Sequence, residues 1–160
     1  MIVIVMGVAG SGKSTIGQLL ADRVGWPFYD GDDFHPTANV EKMHAGIPLT
    51  DEDRSGWLSA LVDLITEQLR QDQSAVIACS ALKQQYRARL NVDASVRFVY
   101  LRGSYDLIEA RLRQRAGHYM PPDLLASQFA ALEEPQEALT FDVSQPPELI
   151  VTEIVSRLHP

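Results

Sequence analysis

The fold is decided by one short stretch of sequence, Gly7-Val8-Ala9-Gly10-Ser11-Gly12-Lys13-Ser14. The apolar run Ile2–Met6 precedes it and predicts a parallel strand that is buried on both faces. Residues 14–24 follow it with apolar side chains at helical spacing, and they predict a helix that ends at Gly25. A glycine-rich turn between a strand and a helix can direct several backbone N–H groups at one anion. The stretch therefore predicts a phosphate-binding loop.

This loop has the complete G-x-x-x-x-G-K-[ST] pattern, whose last two residues have separate tasks. Lys13 is expected to reach the β- and γ-phosphates of a nucleoside triphosphate such as ATP, and the Ser14 hydroxyl to ligate Mg²⁺. A chance match to a glycine-rich turn is the alternative, and the flanking strand and helix argue against it. The residues predicted to bind the nucleotide here are Gly7, Ala9, Gly10, Ser11, Gly12, Lys13, Ser14 and Thr15.

Composition and charge narrow the class of protein. The chain has 160 residues, of which 46% are hydrophobic, and its formal net charge is −7 at pH 7. An acidic surface argues against a nucleic-acid partner, because phosphate backbones are bound through clustered Lys and Arg. The one cysteine, Cys79, cannot form an intramolecular disulfide, and the apolar start is too short for a membrane span. We therefore expect a cytoplasmic enzyme with neither a membrane nor a nucleic-acid partner.

Strands and helices alternate along the rest of the chain. Short apolar runs predict strands over residues 27–29, 75–79, 96–101 and 140–143. Helical periodicity predicts helices over residues 51–69, 83–90, 104–115, 124–132 and 146–158. This alternation is typical of a three-layer α/β fold, in which right-handed crossovers place helices on both sides of a parallel sheet. We predict one P-loop domain over residues 1–160.

Three carboxylates, Asp30, Asp32 and Asp33, lie close together at the end of the second predicted strand. In a parallel α/β sheet, the carboxyl ends of the strands form the crevice in which ligands bind. Phosphoryl transfer to an alcohol benefits from one carboxylate that positions the metal and another that accepts the hydroxyl proton. We therefore predict that Asp30 holds the metal through water and that Asp32 acts as base and substrate anchor, with Asp33 a spectator. A solvated Asp-Gly-Asp turn is the alternative.

Polar residues that could hold a hydroxylated acid lie beside the predicted crevice. The candidates are His35, Lys42, Arg54, Lys83 and Arg87. A guanidinium or ammonium group would bind the carboxylate of such an acceptor, and other polar groups its hydroxyls. Each candidate alone is more often a solubilising or structural residue. Arg54 gains support because it opens the long predicted helix, where Thr50 or Asp51 can serve as N-cap.

Arginines follow the fourth predicted strand, on a helix that residues 117–122 interrupt. Arg111 and Arg115 are four residues apart and share a face, whereas Arg113 points elsewhere. Such a segment is typical of a mobile lid, which carries arginines onto the transferring phosphoryl group and excludes water. We predict a helical lid over about residues 111–135, with Arg111 and Arg115 as catalytic residues. A charged surface helix is the alternative.

Beyond the phosphate loop, several separate stretches form a longer pattern. They are residues 30–32, His35-Pro36, 39–43, 46–54, Trp57-Leu58, 79–83, Tyr86-Arg87, Arg115 with His118-Tyr119-Met120, Leu125, Ser127-Gln128, and Leu132-Glu133 with Pro135. Together they resemble the gluconokinase family, in the shikimate-kinase-like branch of the P-loop kinases that includes nucleoside-monophosphate kinases. The phosphate loop is shared widely, but the middle stretches are specific to this family. The likeness extends from residue 2 to about residue 147.

The resemblance implies transfer of the ATP γ-phosphate to the 6-hydroxyl of D-gluconate, with Mg²⁺ as the metal. It also implies that Gln145 and Pro146 bracket the adenine, that residues 80–83 form a wall of the acceptor pocket, and that the protein is a homodimer. With this addition, the predicted acceptor contacts are Asp32, His35, Lys42, Arg54, Ser80, Lys83, Arg87 and His118.

Two other interpretations remain open on the sequence. A kinase of the same fold could act on shikimate, a related sugar acid or a nucleoside monophosphate. A monophosphate acceptor would need several arginines near residues 35–60, where Arg54 is the only one. A nucleotide-binding regulatory module without an acceptor is the second interpretation, and the acidic loop and the arginine pair argue against it. The sequence has no N-K-x-D segment for guanine, which argues against a GTPase.

Overall fold

The described part of the chain is organised by a five-stranded parallel sheet. The computed structural model describes residues 1–114 and 122–158. The strands are β1 (Ile2–Met6), β2 (Phe28–Asp30), β3 (Ala75–Ala78), β4 (Val96–Arg102) and β5 (Leu139–Asp142), in the spatial order β2-β3-β1-β4-β5. Every neighbouring pair is parallel, so all the strands end at the same edge of the sheet. The predicted parallel α/β sheet is confirmed.

Helices fill the connections between these strands, and one more helix follows the last strand. They are α1 (Lys13–Val24), α2 (Thr37–His44), α3 (Asp51–Arg70), α4 (Gln84–Leu90), α5 (Tyr105–Gln114), α6 (Pro122–Ala131) and α7 (Pro147–Leu158), with a 3₁₀ turn over Gly31–Phe34. Apart from α2 and the turn, each lies within one or two residues of a helix that the apolar periodicity predicts. Among the described residues, no helix combines the length and apolar content that crossing a bilayer requires.

The central strand β1 is buried on both faces, as its unbroken apolar run predicts. Ile2, Ile4 and Met6 pack with side chains of α3 and α4 on one face of the sheet. Val3 and Val5 pack with side chains of α1 and α7 on the other face. Because side chains alternate along a strand, this short segment supplies the centre of both layers. The result is the predicted three-layer arrangement, with the phosphate loop at the end of its central strand.

A third, smaller apolar cluster fixes α5 and α6 beside the phosphate loop. Val8 of the loop packs with Ile108 of α5 and Leu125 of α6. Helix α5 comes so close that a Cβ at Gly10 would lie 2.8 Å from Leu112 Cγ. Gly10 also has a φ of 79°, which L side chains rarely adopt, so both the space and the backbone require glycine there. The two helices therefore rest directly on the loop.

Helix α2 is the element that the sequence analysis missed. It has only eight residues, and the buried side chain of Asn39 is polar, so the segment lacks a clear apolar period. Tertiary hydrogen bonds hold it, because Asn39 Nδ2 donates to Asp53 O at 2.8 Å and to His35 Nδ1 at 3.2 Å. Thr50 caps α3 in a capping box with Asp53, which decides between the two predicted N-caps.

Candidate active site

The loop between β1 and α1 has the conformation of a phosphate cradle. Gly10 and Gly12 adopt φ values of 79° and 96°, which turn the backbone tightly at the start of α1. Lys13 Nζ donates to Val8 O at 3.0 Å, so its side chain folds back across the loop. Ser11 is buried, and its Oγ has no hydrogen-bond partner among the described residues. The glycine turns and the lysine that folds across them fit a nucleotide phosphate.

The end of β2 meets the start of α1 through Ser14 and Asp30. Ser14 Oγ donates to Asp30 Oδ2 at 3.0 Å, and Asp30 Oδ1 accepts from Asp32 N at 3.0 Å. A hydroxyl and a carboxylate are hard oxygen ligands of the kind that Mg²⁺ takes together with phosphate and water. Over residues 1–114 and 122–158, no group of three His, Cys, Asp or Glu side chains could hold a metal by itself. The pair therefore fits a Mg²⁺ ion that is shared with a nucleotide.

A cavity of about 360 Å³ opens on one side of the phosphate loop. Lys13 and Ser14 line it from α1, and Asp32, His35 and Arg54 line it from the segment after β2 and from α3. These residues meet because β1 and β2 both end at this edge of the sheet. Ser80, which follows β3, and Trp57 of α3 also line the cavity. The structure thus brings together Asp32, His35, Arg54 and Ser80, four of the predicted acceptor contacts.

His35 lies in this cavity against the indole ring of Trp57. The ring centroids are 4.4 Å apart and the ring planes differ by 13°. His35 Nδ1 accepts from Asn39, which leaves Nε2 as the N–H donor, 3.9 Å from Asp32 Oδ1. Burial lowers the pKa of His35, and the nearby Asp32 charge opposes this shift only in part. The imidazole is therefore neutral at pH 7 and presents an N–H group beside Asp32.

Arg54 is held by a polar network at the start of α3. Its Nη1 donates to Leu49 O at 2.9 Å and to Tyr86 Oη at 3.2 Å. Tyr86 Oη donates to Asp51 Oδ1, to which Lys83 Nζ also donates at 2.8 Å. The hydrogen bond from Lys83, followed by that from Tyr86, lowers the pKa of Asp51 to about 2. The network keeps Asp51 ionised and fixes the orientation of the guanidinium that lines the cavity.

The two predicted lysine contacts are paired with carboxylates of the first turn of α3. Lys42 Nζ donates to Asp53 Oδ2 at 2.8 Å, and the hydrogen bond lowers the pKa of Asp53 to about 2. Lys83 is paired with Asp51 in the same way. Neither lysine is among the described residues that line the cavity. Both lysines therefore stabilise the first turn of α3, the helix that carries Arg54 in the cavity wall.

Arg87, the remaining cationic candidate, is buried and does not line the described cavity. Its Nη1 donates to Ala81 O and its Nη2 to Glu133 O, both at 2.7 Å. Burial lowers the pKa of Arg87, and the charge of Glu133 opposes that shift. In this structure the guanidinium joins the segment after β3 to the end of α6.

A second cavity, of about 210 Å³, opens on the other side of the phosphate loop. Gly12 and Thr15 line it together with Arg111 of α5 and Gln145, which follows β5. Arg111 Nη2 donates to Val143 O at 2.6 Å, so α5 is tied to the segment that carries Gln145. Pro146 comes next in the chain and accepts the first hydrogen bonds of α7 through its carbonyl group. This is the side on which the resemblance expects adenine, and that assignment stays a prediction.

Two predicted site residues, Arg115 and His118, lie outside the described residues. The described part of the predicted lid consists of the end of α5 and of residues 122–135.

Sequence reasoning missed one face of α6. Leu124, Ser127 and Gln128 line the cavity of about 360 Å³ that holds the predicted acceptor contacts, called the acceptor-side cavity below. Their spacing places them on a single helical face. The only signal in the sequence is that Ser127-Gln128 is one of the stretches that carry the family resemblance. The resemblance assigns no role to these two residues. Trp57 is buried, and it also forms part of the cavity wall.

These features define a class of protein. A phosphate loop with its lysine, a hydroxyl–carboxylate pair suited to Mg²⁺ and a polar cavity of metabolite size adjoin one another. Kinases of small molecules need these parts, because positioning and charge stabilisation supply most of the catalysis of phosphoryl transfer. The chain is an α/β P-loop kinase for a small-molecule acceptor.

Comparisons with known proteins narrow the class to a family. A family model described as shikimate kinase matches residues 9–159. The thermosensitive gluconokinase of Escherichia coli (strain K12) is 49% identical over 134 residues, covering 83% of this chain and 72% of that protein. The gluconokinase of Gluconobacter oxydans (strain 621H) is 43% identical over 156 residues, covering 95% and 88%.

A solved structure agrees with these relatives. The crystal structure of a gluconokinase from Sinorhizobium meliloti 1021 has a TM-score of 0.87 and 43% identity to this chain, and the match covers 98% of this chain and 91% of that one. The chain belongs to the gluconokinase family, within the group that the shikimate kinase model describes.

Proposed function

We propose that this chain transfers the γ-phosphate of ATP to the 6-hydroxyl of D-gluconate, giving 6-phospho-D-gluconate and ADP. The observation that carries the proposal is a single cavity lined by Lys13 of the phosphate loop and by Asp32 and Arg54. Phosphoryl transfer requires donor and acceptor to be held in one such space. The relatives named gluconokinase, at 43% and 49% identity over most of the chain, support gluconate as the acceptor.

Lys13 and Asp32 have the central tasks in this proposal. Lys13 and the loop amides hold the terminal phosphates and stabilise the charge that develops on them. The Asp32 side chain is 62% exposed and lies in the cavity, where it can accept a hydrogen bond from the attacking hydroxyl. As the new oxygen–phosphorus bond forms, the bond from phosphorus to the bridging oxygen breaks and ADP leaves with that oxygen. Asp32 orients the hydroxyl and receives its proton.

The acceptor is held by groups of different chemistry along the cavity. Arg54 binds the gluconate carboxylate through charge-assisted hydrogen bonds. The neutral His35 donates through Nε2–H to a hydroxyl group, and Ser80 offers both a donor and an acceptor. Lys83 contributes through Asp51 and Tyr86, which hold Arg54 in place. Hydroxyl groups along a linear polyol acid match this distribution.

The metal and the lid complete the proposal. Ser14 and Asp30 would hold Mg²⁺, which supplies positive charge beside the phosphates when it is bound. Gln145 and Pro146 would bracket adenine, and Arg111 with Arg115 would act from a lid over about residues 111–135. The family resemblance supports a homodimer. The single cysteine and the absence of a long apolar run support a cytoplasmic location, and the alternation of strands and helices supports one kinase domain over residues 1–160.

Acceptor-dependent ADP formation across a panel of acids tests this function. D-gluconate, related aldonates, shikimate and nucleoside monophosphates are each offered with ATP and Mg²⁺. We expect turnover with D-gluconate to exceed that with shikimate or any monophosphate by at least about 100-fold, because a site built for one set of hydroxyls leaves polar groups unpaired with another. Lys13→Ala is the control and should abolish the gluconate-dependent rate. Turnover with shikimate or a monophosphate in preference to gluconate would refute the assignment.

A further inference from the structure

One face of α6 closes the acceptor-side cavity from above the phosphate loop. Leu124, Ser127 and Gln128 line the cavity, whereas Leu125 and Phe129 point into the small apolar cluster beside the loop. The division follows from helical spacing, since residues three and four apart share a face. Gln128 carries the only carboxamide on the face that meets the cavity in the described residues. It is neutral and can both donate and accept hydrogen bonds.

Gln128 contacts the phosphate loop directly. Ala9 N donates to Gln128 Oε1 at 2.7 Å, although the two residues are 119 positions apart in the sequence. Ala9 belongs to the G-x-x-x-x-G-K-[ST] loop, whose backbone N–H groups bind phosphate oxygens. The carboxamide of Gln128 therefore occupies a donor that a phosphate would use.

The two cavities indicate which phosphate of the nucleotide would use the Ala9 N–H group. Thr15 lines the cavity of about 210 Å³ beside Gln145, called here the nucleoside-side cavity, whereas Ala9 and Lys13 line the acceptor-side cavity. The phosphate that is transferred must face the acceptor, so it enters the space that Ala9 borders. An anionic oxygen there takes the Ala9 N–H and repels the amide oxygen of Gln128. Rotation of the carboxamide replaces that oxygen with Nε2, which donates.

We propose that Gln128 is a ligand of the terminal phosphate of ATP, supplied by α6. Without the triphosphate, Gln128 Oε1 satisfies the Ala9 N–H group, and with it the amide turns and Nε2 donates to the terminal phosphate. The helix thereby distinguishes ATP from ADP by a hydrogen bond that only the triphosphate can accept. This inference rests on the proposed use of ATP but not on gluconate as the acceptor.

The end of α6 is fixed firmly enough to place this side chain. Glu133 N donates to Leu82 O at 2.8 Å, and Glu133 O accepts from the buried Arg87 at 2.7 Å. Glu133 Oε1 also accepts from Gln84 N at 2.8 Å, at the start of α4. Three hydrogen bonds therefore anchor the chain that leaves α6 close to Gln128. Because Arg87 donates one of these hydrogen bonds, to Glu133 O, it is a positioning residue for Gln128.

Binding of nucleotides in the absence of any acceptor tests the proposal. Dissociation constants of ADP and of a non-hydrolysable ATP analogue are measured by calorimetry with Mg²⁺, for the wild type and for Gln128→Glu. A carboxylate of the same shape cannot donate and repels the phosphate, so we expect the analogue to bind at least about tenfold more weakly while ADP changes by less than about twofold. The matched control is Gln73→Glu, the same exchange at an exposed position before β3, at the opposite edge of the sheet. It should leave both constants unchanged.

A second variant distinguishes a phosphate ligand from a side chain that only blocks the phosphate loop. Gln128→Leu keeps the volume and adds no charge, and we expect the analogue to bind about threefold more weakly with ADP unaffected. Tighter binding of the analogue to Gln128→Leu would overturn the proposal, because the side chain would then only block the loop. Equal weakening of both nucleotides would overturn it as well, since the effect would be on the fold. A wild-type chain that bound neither nucleotide would refute the proposed function together with this inference.

Discussion

At the scale of single residues, Asp30 and Asp32 show how one short turn separates two tasks. Asp30 accepts from Ser14 Oγ through one oxygen and from the backbone N–H of Asp32 through the other. The Asp32 side chain is 62% exposed and has His35 Nε2 at 3.9 Å. The 3₁₀ turn that begins at Gly31 rotates the backbone between them. One carboxylate is thereby suited to an ion at the phosphates and the other to an acceptor hydroxyl.

Replacing Asp32 by Asn tests this division. The amide keeps the size of the side chain but cannot take up a proton, so we expect kcat to fall by at least about 100-fold. The dissociation constant of ATP should change by less than about twofold, because the proposal gives the phosphates to the loop amides and Lys13 and gives Asp32 the acceptor hydroxyl. Asp33→Asn, at the exposed neighbouring position, is the control and should keep the wild-type kcat. A wild-type kcat in Asp32→Asn would remove this residue from the mechanism.

At the scale of elements, α3 serves two purposes along its length. Its first turn carries Asp51 and Asp53, which are paired with Lys83 and Lys42, and its middle packs against the sheet through Trp57 and neighbouring apolar residues. The carboxylates also lie at the positive end of the helix dipole. Ion pairs therefore stabilise the first turn of α3, whereas burial of apolar side chains stabilises the rest of the helix.

The pH dependence of stability checks the charge pairing at this turn. The pKa of Asp51 is lowered from 3.8 to about 2 in the folded chain, chiefly by the hydrogen bond from Lys83. A lowered folded-state pKa stabilises the chain above the unfolded pKa and loses that effect as the pH falls through the folded value. We expect the wild type to exceed Asp51→Asn in unfolding free energy at pH 6, and the difference to shrink between about pH 4 and pH 2. Urea titrations at several pH values measure it, and a difference that stays constant over this range would contradict the pairing.

Helix α6 depends on the buried guanidinium of Arg87. Truncation leaves the carbonyl groups of Ala81 and Glu133 without their charged donor, so Arg87→Ala should lower the unfolding free energy by about 2–3 kcal/mol. Arg89→Ala is the matched control, because Arg89 lies on the exposed side of α4 and donates to Ser59 Oγ. It should cost no more than about 0.5 kcal/mol.

The same variant decides between two interpretations of Arg87. A variant of wild-type stability whose only defect was a raised KM for gluconate would make Arg87 the acceptor contact that the sequence predicts. Loss of stability, with recovery of part of it in Arg87→Lys, would support the anchoring role seen in the structure.

Much of the fold and part of the candidate site could be predicted from local sequence patterns. The rest could not be predicted, because it depends on contacts between residues that are far apart in the sequence. The loop and the flanking strand and helix follow from eight residues and their neighbours, since glycine spacing and apolar runs are local signals. Arg87 has the same local appearance as a surface arginine, and only the fold brings Glu133 to it. Lys42 likewise lies on α2 and pairs with Asp53 of α3. Helix α2 is held by the hydrogen bonds of Asn39, and its sequence has no clear apolar period. Gln128 meets Ala9 across 119 positions, which no local pattern indicates.

At the scale of the whole molecule, the strand order places the two cavities beside different parts of the sheet. The central strand β1 carries the phosphate loop, β2 and β3 lie on one side of it, and β4 and β5 lie on the other. The acceptor-side cavity takes Asp32 and Ser80 from the first side, and the nucleoside-side cavity takes Arg111 and Gln145 from the second. In the proposed function, ATP and the acceptor therefore approach the phosphate loop from opposite sides of β1.

This separation predicts direct transfer through a ternary complex. Initial rates measured at varied ATP and gluconate should give intersecting lines in double-reciprocal plots, because both substrates must be bound before the phosphate moves. Parallel lines, or exchange of label between ADP and ATP without gluconate, would indicate a phosphorylated enzyme and contradict the geometry.

In the proposed function, the phosphate loop and Asp32 act on one hydroxylated acid in one cavity. The most direct measurement is a phosphorus NMR spectrum of a reaction that contains the chain, ATP, Mg²⁺ and D-gluconate. We expect one new phosphate monoester, coupled to the two protons of carbon 6, which grows as the γ-phosphate signal of ATP declines. Loss of the γ-phosphate to inorganic phosphate alone, with no ester formed, would contradict it.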